Sequence, residues 1–387
     1  MAKCIAGSAA CREPPDVSRR VGGAIRQKPV RVLLDVLVRR NRPRPLLPFL
    51  IWLAAFYGTW LALLVVGRHG RELVAHAGIA LAMLFGSYIA GSTPMGGGTV
   101  GFPILVLLLD QPAALGRDFS FAVQSIGMVS ASIFILCRRQ ELEWPMLRWA
   151  LVGSLIGTPL GILGVAPLVP ALWIKLIFAV TWASFGVMHL VKVRELVANV
   201  GMTPAAHRFD RNAGLLVGLL GGSTVAAVTG VGIDMLIYVV LVLLCRADLK
   251  IAIPTSVLLM AFTSLVGIAT KLLVTGVQPE VFGNWLAAAP VVALGAPLGA
   301  WVVTRVGRTP TLILVSLLCM GQFAWTVQQE WGALGWTGLI GALAVVGGLN
   351  LGFRQLYVIG LRLARRGGTP GGNALASAPA VPAESGA

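Results

Sequence analysis

The chain has 387 residues, of which 57% are hydrophobic and only 12% charged, with a mean hydropathy of +0.83. A soluble chain carries about 25% charged residues, so soluble, disordered and coiled-coil classes are excluded and an integral membrane protein is indicated. The formal net charge of +16 does not signal a nucleic-acid partner, because its placement is that of a membrane anchor.

Residues 1–44 hold eleven Lys and Arg against Glu13, Asp16 and Asp35. They read as a basic cytoplasmic tail facing anionic lipid headgroups, with a short interfacial helix over 31–40. The first apolar run starts near Leu46, too late for a signal peptide. An extra span follows at 45–67. The next run, 73–109, is interrupted by GSTPMGGG at 91–98. Spans at 119–137, 145–165 and 167–190 complete a first transmembrane repeat, 73–190. Residues 191–212 are polar and form a cytoplasmic linker. A second repeat, 213–327, opens with a run at 213–245 that breaks near GVG at 230–232, and continues with spans at 251–275, 285–304 and 310–327. A final span, 333–361, precedes a tail at 362–387 rich in Gly, Ala, Ser and Pro, whose composition predicts disorder.

The segments after the two breaks have 12 and 14 residues (98–109 and 232–245). At 1.5 Å per residue they reach about 18–21 Å, short of the roughly 30 Å hydrocarbon core. Each break therefore falls inside the membrane, where irregular backbone survives only around protein or a wet cavity. Lys and Arg then orient the spans. If each broken run enters and returns, Arg138-Arg139, the stretch 192–211, residues 246–250 and Arg305 to Arg308 all face the cytoplasm, as do both termini of a multi-pass cytoplasmic-membrane protein.

The halves resemble each other. GTPLG at 157–161 recurs as GAPLG at 295–299, and the glycines at 96–98 correspond to GVG at 230–232. Gln124-Ser125 answers Thr255-Ser256 in this alignment. With the topology above the repeats are inverted, the plan of many secondary transporters that carry a midplane site. The predicted fold is thus all-α and polytopic, with two inverted repeats, broken or re-entrant helices, and an extra helix at each end.

The breaks supply the candidate substrate-binding residues. Ser92, Thr93, Gly96, Gly97, Gly98 and Thr99 open the first short helix, and Thr229, Gly230 and Gly232 open the second. Glycine leaves bare N–H groups at a helix start, which favours an anion; close packing of small residues is the competing explanation. Gln124, Ser125, Thr255 and Ser256 are candidate donors to an oxyanion, or bond back to their own helices. Asp234 is the only acidic residue well inside an apolar run. A carboxylate there costs about 2.5–3.5 kcal/mol on insertion scales, so it is the candidate coupling residue, with the proton as candidate ion. Lys271 is expected to snorkel from a span end, and Lys175 either packs or attracts an anion. Five Cys without a CxxC and four scattered His form no metal spacing. No nucleophile motif or phosphate loop is present, so neither a metal, a cofactor nor a catalytic residue is expected.

The sequence GGGTVGFP at 96–103, its counterpart GVGIDML at 230–236 and ADLKIAIPTS at 247–256, together with the GxPLG helices, resemble the sulfite exporter TauE/SafE (TSUP) family of membrane permeases over about 73–327. The resemblance implies transport of sulfite, a sulfonate or another small organic anion. It carries over no catalytic residue. The long basic tail, the span at 45–67 and the unmatched Asp234 depart from the simplest family pattern and leave substrate and direction open. A passive anion channel is the alternative, followed by a membrane-embedded enzyme or assembly factor. The sequence does not fix an oligomeric state.

Overall fold

A computed structural model describes residues 46–202, 207–306 and 308–366. The basic tail and nearly all of the C-terminal tail lie outside the described residues, so their expected roles do too. Among the described residues there is no strand, and nine helices are long and apolar enough to cross a membrane. The chain is an all-α polytopic membrane protein.

The helices run α1 (Leu47–Val66), α2 (Gly70–Ala75), α3 (Ala77–Ser92), α4 (Gly98–Pro103), α5 (Ala113–Cys137), α6 (Trp144–Leu160), α7 (Ala171–Val197), α8 (His207–Gly221), α9 (Ile233–Val239), α10 (Leu249–Thr270), α11 (Val281–Val306), α12 (Arg308–Gln329) and α13 (Trp331–Arg366). Five continue or end in wider π turns, including Ile104–Leu108 after α4 and Val240–Leu244 after α9. The stretch expected as linker is helical at both ends, since α7 reaches Val197 and α8 starts at His207.

Two helix pairs cross backbone to backbone through glycine. In α6 and α8, Gly153 meets the Leu215 carbonyl, Gly157 meets Leu219, and Gly214 and Gly218 meet the Met146 and Ala150 carbonyls. Positions advance together, so the two helices run parallel. In α3 and α11, Gly91 meets Ala296, while Gly295 and Gly299 meet Ser87 and Tyr88. That pair is parallel as well. Gly161 meets Ser223 and Ala227, just beyond α8, so both glycines of each GxPLG segment face the first run of the other half, where no Cβ has room.

The prolines of α11 show how a broken ladder is repaired. Pro290 and Pro297 lack N–H groups, which strands the carbonyls of Leu286 and Ala293 four residues earlier. Trp60 of α1 donates Nε1–H to Leu286 O at 2.9 Å, and Ser130 of α5 donates Oγ–H to Ala293 O at 2.5 Å. In a bilayer each unmet carbonyl would cost several kcal/mol, so α1 is tied into the bundle by a donor aimed at the carbonyl that Pro290 exposes.

Candidate functional site

The first break lies between α3 and α4. Thr93 leaves the helix extended (φ −136°, ψ 165°), because a following proline disfavours helical backbone. Gly96 then turns at φ +65°. The second break turns at Gly230 and Gly232, with φ +81° and +101°. This left-handed region costs an L side chain about 1–2 kcal/mol, which explains glycine at all three positions.

The two breaks meet in the bundle interior. Val231 Cγ1 fills the space that a Cβ on Gly98 would need, and Gly230 lies on the Arg117 carbonyl beside Ser120. Gln124 of α5 sits between them. Its Nε2 donates to Ser120 O at 3.1 Å and to Gly230 O at 3.2 Å. Two carbonyl acceptors fix the amide's orientation, so Oε1 faces Gly96, where no donor reaches it. Asp234 opens α9. Its Oδ1 accepts the Met235 N–H at 3.1 Å, while Oδ2 faces Gly96, 3.1 Å from where a Cβ would stand, and has no partner. Two buried acceptors from different halves therefore converge on one glycine.

This arrangement has two chemical faces. At the start of α9 the Asp234 carboxylate already occupies the anion-favouring helix terminus, as a tethered anion. At the restart into α4, Thr99 is the first residue whose amide closes a turn, 3.4 Å from Gly96 O, which leaves the preceding glycine amides as the donors for a free anion. Thr93, Met95, Thr229, Val231 and Asp234 are all 0% exposed. Neither break opens to solvent in this conformation.

Two neighbours complete the site and were not singled out from sequence. Trp182 of α7 donates Nε1–H to Thr99 Oγ1 at 2.8 Å, and its ring edge lies 3.2 Å from the Cβ position of Gly232, so one indole touches both breaks. It stacks on Phe178, which stacks on Phe102, at centroid spacings of 4.0 and 4.4 Å. The signal available in sequence was the stripe Phe178, Trp182, Phe185, His189 at helical spacing. Ser120 is the second: it packs on Gly230 and its Oγ lies 3.0 Å from the Gly98 Cβ position.

The other expected residues fall apart from this cluster. Ser92 and Thr93 bond back to Tyr88 O and Ile89 O, and Ser125 and Ser256 bond back within α5 and α10. Thr229 braces its own turn, accepting from Val231 N–H and donating to Val225 O. Thr255 accepts the Glu143 N–H at 3.0 Å, at the head of α6 rather than at a break. Gly97 lies beside Met83 and Ala90. The expected pairing of Gln124-Ser125 with Thr255-Ser256 also gives way. Leu109 N bonds Ile104 O, Gln111 N bonds Leu105 O and Asp110 is left-handed; Cys245, Ala247 and Arg246 do the same 136 residues later. At that spacing Ser256 answers Ser120, and Gln124 answers Met260.

Both lysines have carboxylate partners. Lys271 does not snorkel: it is buried, with Nζ 3.1 Å from Asp118 Oδ2, while Arg117 Nε holds Asp118 Oδ1 at 3.1 Å. Asp118 is therefore a second fully buried acid, hidden from the sequence reading because α5 begins at Ala113 and not near Phe119. Lys175 pairs with Glu330 at 2.5 Å, which removes its charge as bait for an anion. Among the described residues no cluster of His, Cys, Asp and Glu suits a metal ion.

Compared with known families, residues 79–325 match the model of the family described as Sulfite exporter TauE/SafE. Neither the curated proteins nor the solved structures give a match.

Proposed function

The chain belongs to the sulfite exporter TauE/SafE family, a family of membrane transporters, and from that premise we propose that it is a secondary transporter for sulfite, a sulfonate or a related organosulfur anion, coupled to protons, in the cytoplasmic membrane with both termini on the cytoplasmic side. The observation that carries the reading is the meeting of the two breaks around Gly96, with Gln124 Oε1 and Asp234 Oδ2 unpartnered beside it. A proton on Asp234 gives this pair the donor it lacks, since a carboxylic acid can donate to the amide oxygen while a carboxylate cannot. The substrate anion is received by the glycine amides of the first break, before Thr99. Protonation and anion binding then favour each other through charge, which is what cotransport requires.

Alternating access by inverted repeats is supported by the cross-paired helices, α3 with α11 and α8 with α6, and by the π turns and caps that recur 136 residues apart. The complete burial of both breaks favours a transporter over an open pore. Uptake into liposomes, assayed across sulfite, thiosulfate, sulfoacetate, taurine and carboxylates, tests the reading. Saturable flux of a sulfur oxyanion that follows an imposed proton gradient is expected. Transport of neutral or cationic solutes alone, or conductance at channel rates, overturns it.

A further inference from the structure

A groove of about 420 Å³ opens between the first turns of α6 and α8, far from the breaks in sequence and lined by Pro145, Arg148, Trp149, Arg208 and Arg211. All five side chains are exposed. None of the three guanidinium groups belongs to an ion pair among the described residues; Arg211 reaches only Asn212 Oδ1, at 3.4 Å. The nearby acids Glu143 and Asp210 are buried.

Three features make the groove a built site. Its cations are held on one rigid body, because the parallel α6 and α8 touch backbone to backbone from Met146–Gly214 onward. They also stand at helix N-termini, where the macrodipole is positive and disfavours cations. Three arginines there cost stability unless an anion sits among them. The comparable α3 and α11 pair has no Lys or Arg in the first two turns of either helix, so the close crossing does not itself demand the charge.

The direction of the groove identifies the anion. Arg148 and Arg208 lie at the starts of the spans Trp144–Leu168 and Arg208–Thr229, at headgroup depth. One turn further in, the outward faces carry Val152, Leu155 and Ile156 on α6, and Leu216 and Leu220 on α8, all exposed. Trp149 stands at the boundary, the usual level of interfacial aromatics. A cationic mouth that runs into an exposed apolar strip matches a molecule with a phosphate at one end and acyl chains at the other.

We propose that this groove is a specific site for one anionic phospholipid. Arg148, Arg208 and Arg211 bind the phosphate headgroup, and the acyl chains lie along the α6 and α8 strips. The site is independent of the transport reading and of the basic N-terminal tail.

The test is native mass spectrometry of the full chain, purified in detergent and supplied with either phosphatidylglycerol or phosphatidylcholine. One tightly retained phosphatidylglycerol is expected, with phosphatidylcholine at least about tenfold weaker. The triple substitution Arg148→Gln, Arg208→Gln, Arg211→Gln should lose that preference, and the triple substitution to Lys should keep part of it. If the triple Gln variant is not monodisperse, Arg208→Gln alone, at an exposed helix end, is expected to weaken retention measurably. Equal retention of the two lipids, or retention unchanged in the Gln variants, contradicts the proposal. Displacement of the lipid by millimolar inorganic phosphate or sulfite also contradicts it, and would mark a site for a water-soluble anion.

Discussion

Gln124 Oε1 and Asp234 Oδ2, contributed by different halves of the chain, face the same point beside Gly96 with no hydrogen-bond donor between them. An unmet buried acceptor costs about 1–3 kcal/mol, and two of them lie at this point. In the proposed cycle a proton on Asp234 supplies the missing donor. That makes the pair the natural switch of the proposed transport cycle.

Gly96 leaves room for both oxygens only because it has no side chain. Gly96→Ala would place a methyl group against Gln124 Oε1 at a residue with φ +65°, for about 1–2 kcal/mol of backbone strain. We expect folded protein with transport reduced about tenfold or more. Gly78→Ala, where nothing lies within 4 Å, should leave uptake and melting temperature unchanged. Equal behaviour of the two variants in a liposome assay would refute the role of Gly96.

Trp182 ties the breaks together through one hydrogen bond and one stack. Trp182→Phe retains the stack on Phe178 but removes the donor to Thr99. The net loss of such a bond is about 1 kcal/mol. A melting temperature lower by a few degrees and slower uptake are expected. Trp182→Ala, which loses both contacts, should abolish uptake.

The Arg117–Asp118–Lys271 cluster is structural in this account. Asp118→Asn leaves two buried cations without their carboxylate, and breaking a buried pair in this way costs about 3–5 kcal/mol. Combining Asp118→Asn with Lys271→Met should recover much of that loss. Thermal denaturation of the two variants checks this, and additive destabilisation would count against the pairing.

Glu143, in the loop before α6, has its pKa raised, first by burial and next by the charge of Asp210, against the Met146 N–H that lowers it. A raised pKa means that the folded protein holds this proton more tightly than the unfolded chain does. The resulting stability is present below the ordinary carboxyl range and is lost as pH rises through the folded value. Glu143→Gln should therefore raise the melting temperature at pH 7 to 8, with the gap closing as pH falls toward about 4. A gap that widens on acidification would contradict the sign.

The spans were legible because apolar runs and their length are local properties, and the breaks because Pro94 and the glycines punctuate those runs. Asp234 stood out for the same reason, as a charge where the solvent is hydrocarbon. Partnership was not legible. Lys271 read as a snorkelling lysine because Asp118, its partner, lay in a stretch assigned to a loop; Pro112, extended at φ −55° and ψ 139°, lets α5 begin a turn and a half earlier. Thr255 and Ser256 looked like the counterpart of Gln124 and Ser125 because a polar pair opens each span, whereas helix starts and caps set the correspondence at 136 residues. The role of Trp182 needed the third dimension, since an aromatic stripe is equally consistent with plain core packing.

In the proposed cycle a proton on Asp234, beside Gln124, couples to anion movement, and Asp234→Asn isolates that step. The asparagine amide can donate permanently to Gln124 Oε1, so the variant should imitate the protonated state. The measurement is sulfite flux in liposomes, taken as exchange without a gradient and as net uptake under an imposed pH gradient. Exchange that persists, with gradient-driven accumulation lost by about tenfold or more, is the predicted result. Accumulation in Asp234→Asn that follows the proton gradient as it does in the unsubstituted chain would contradict the account.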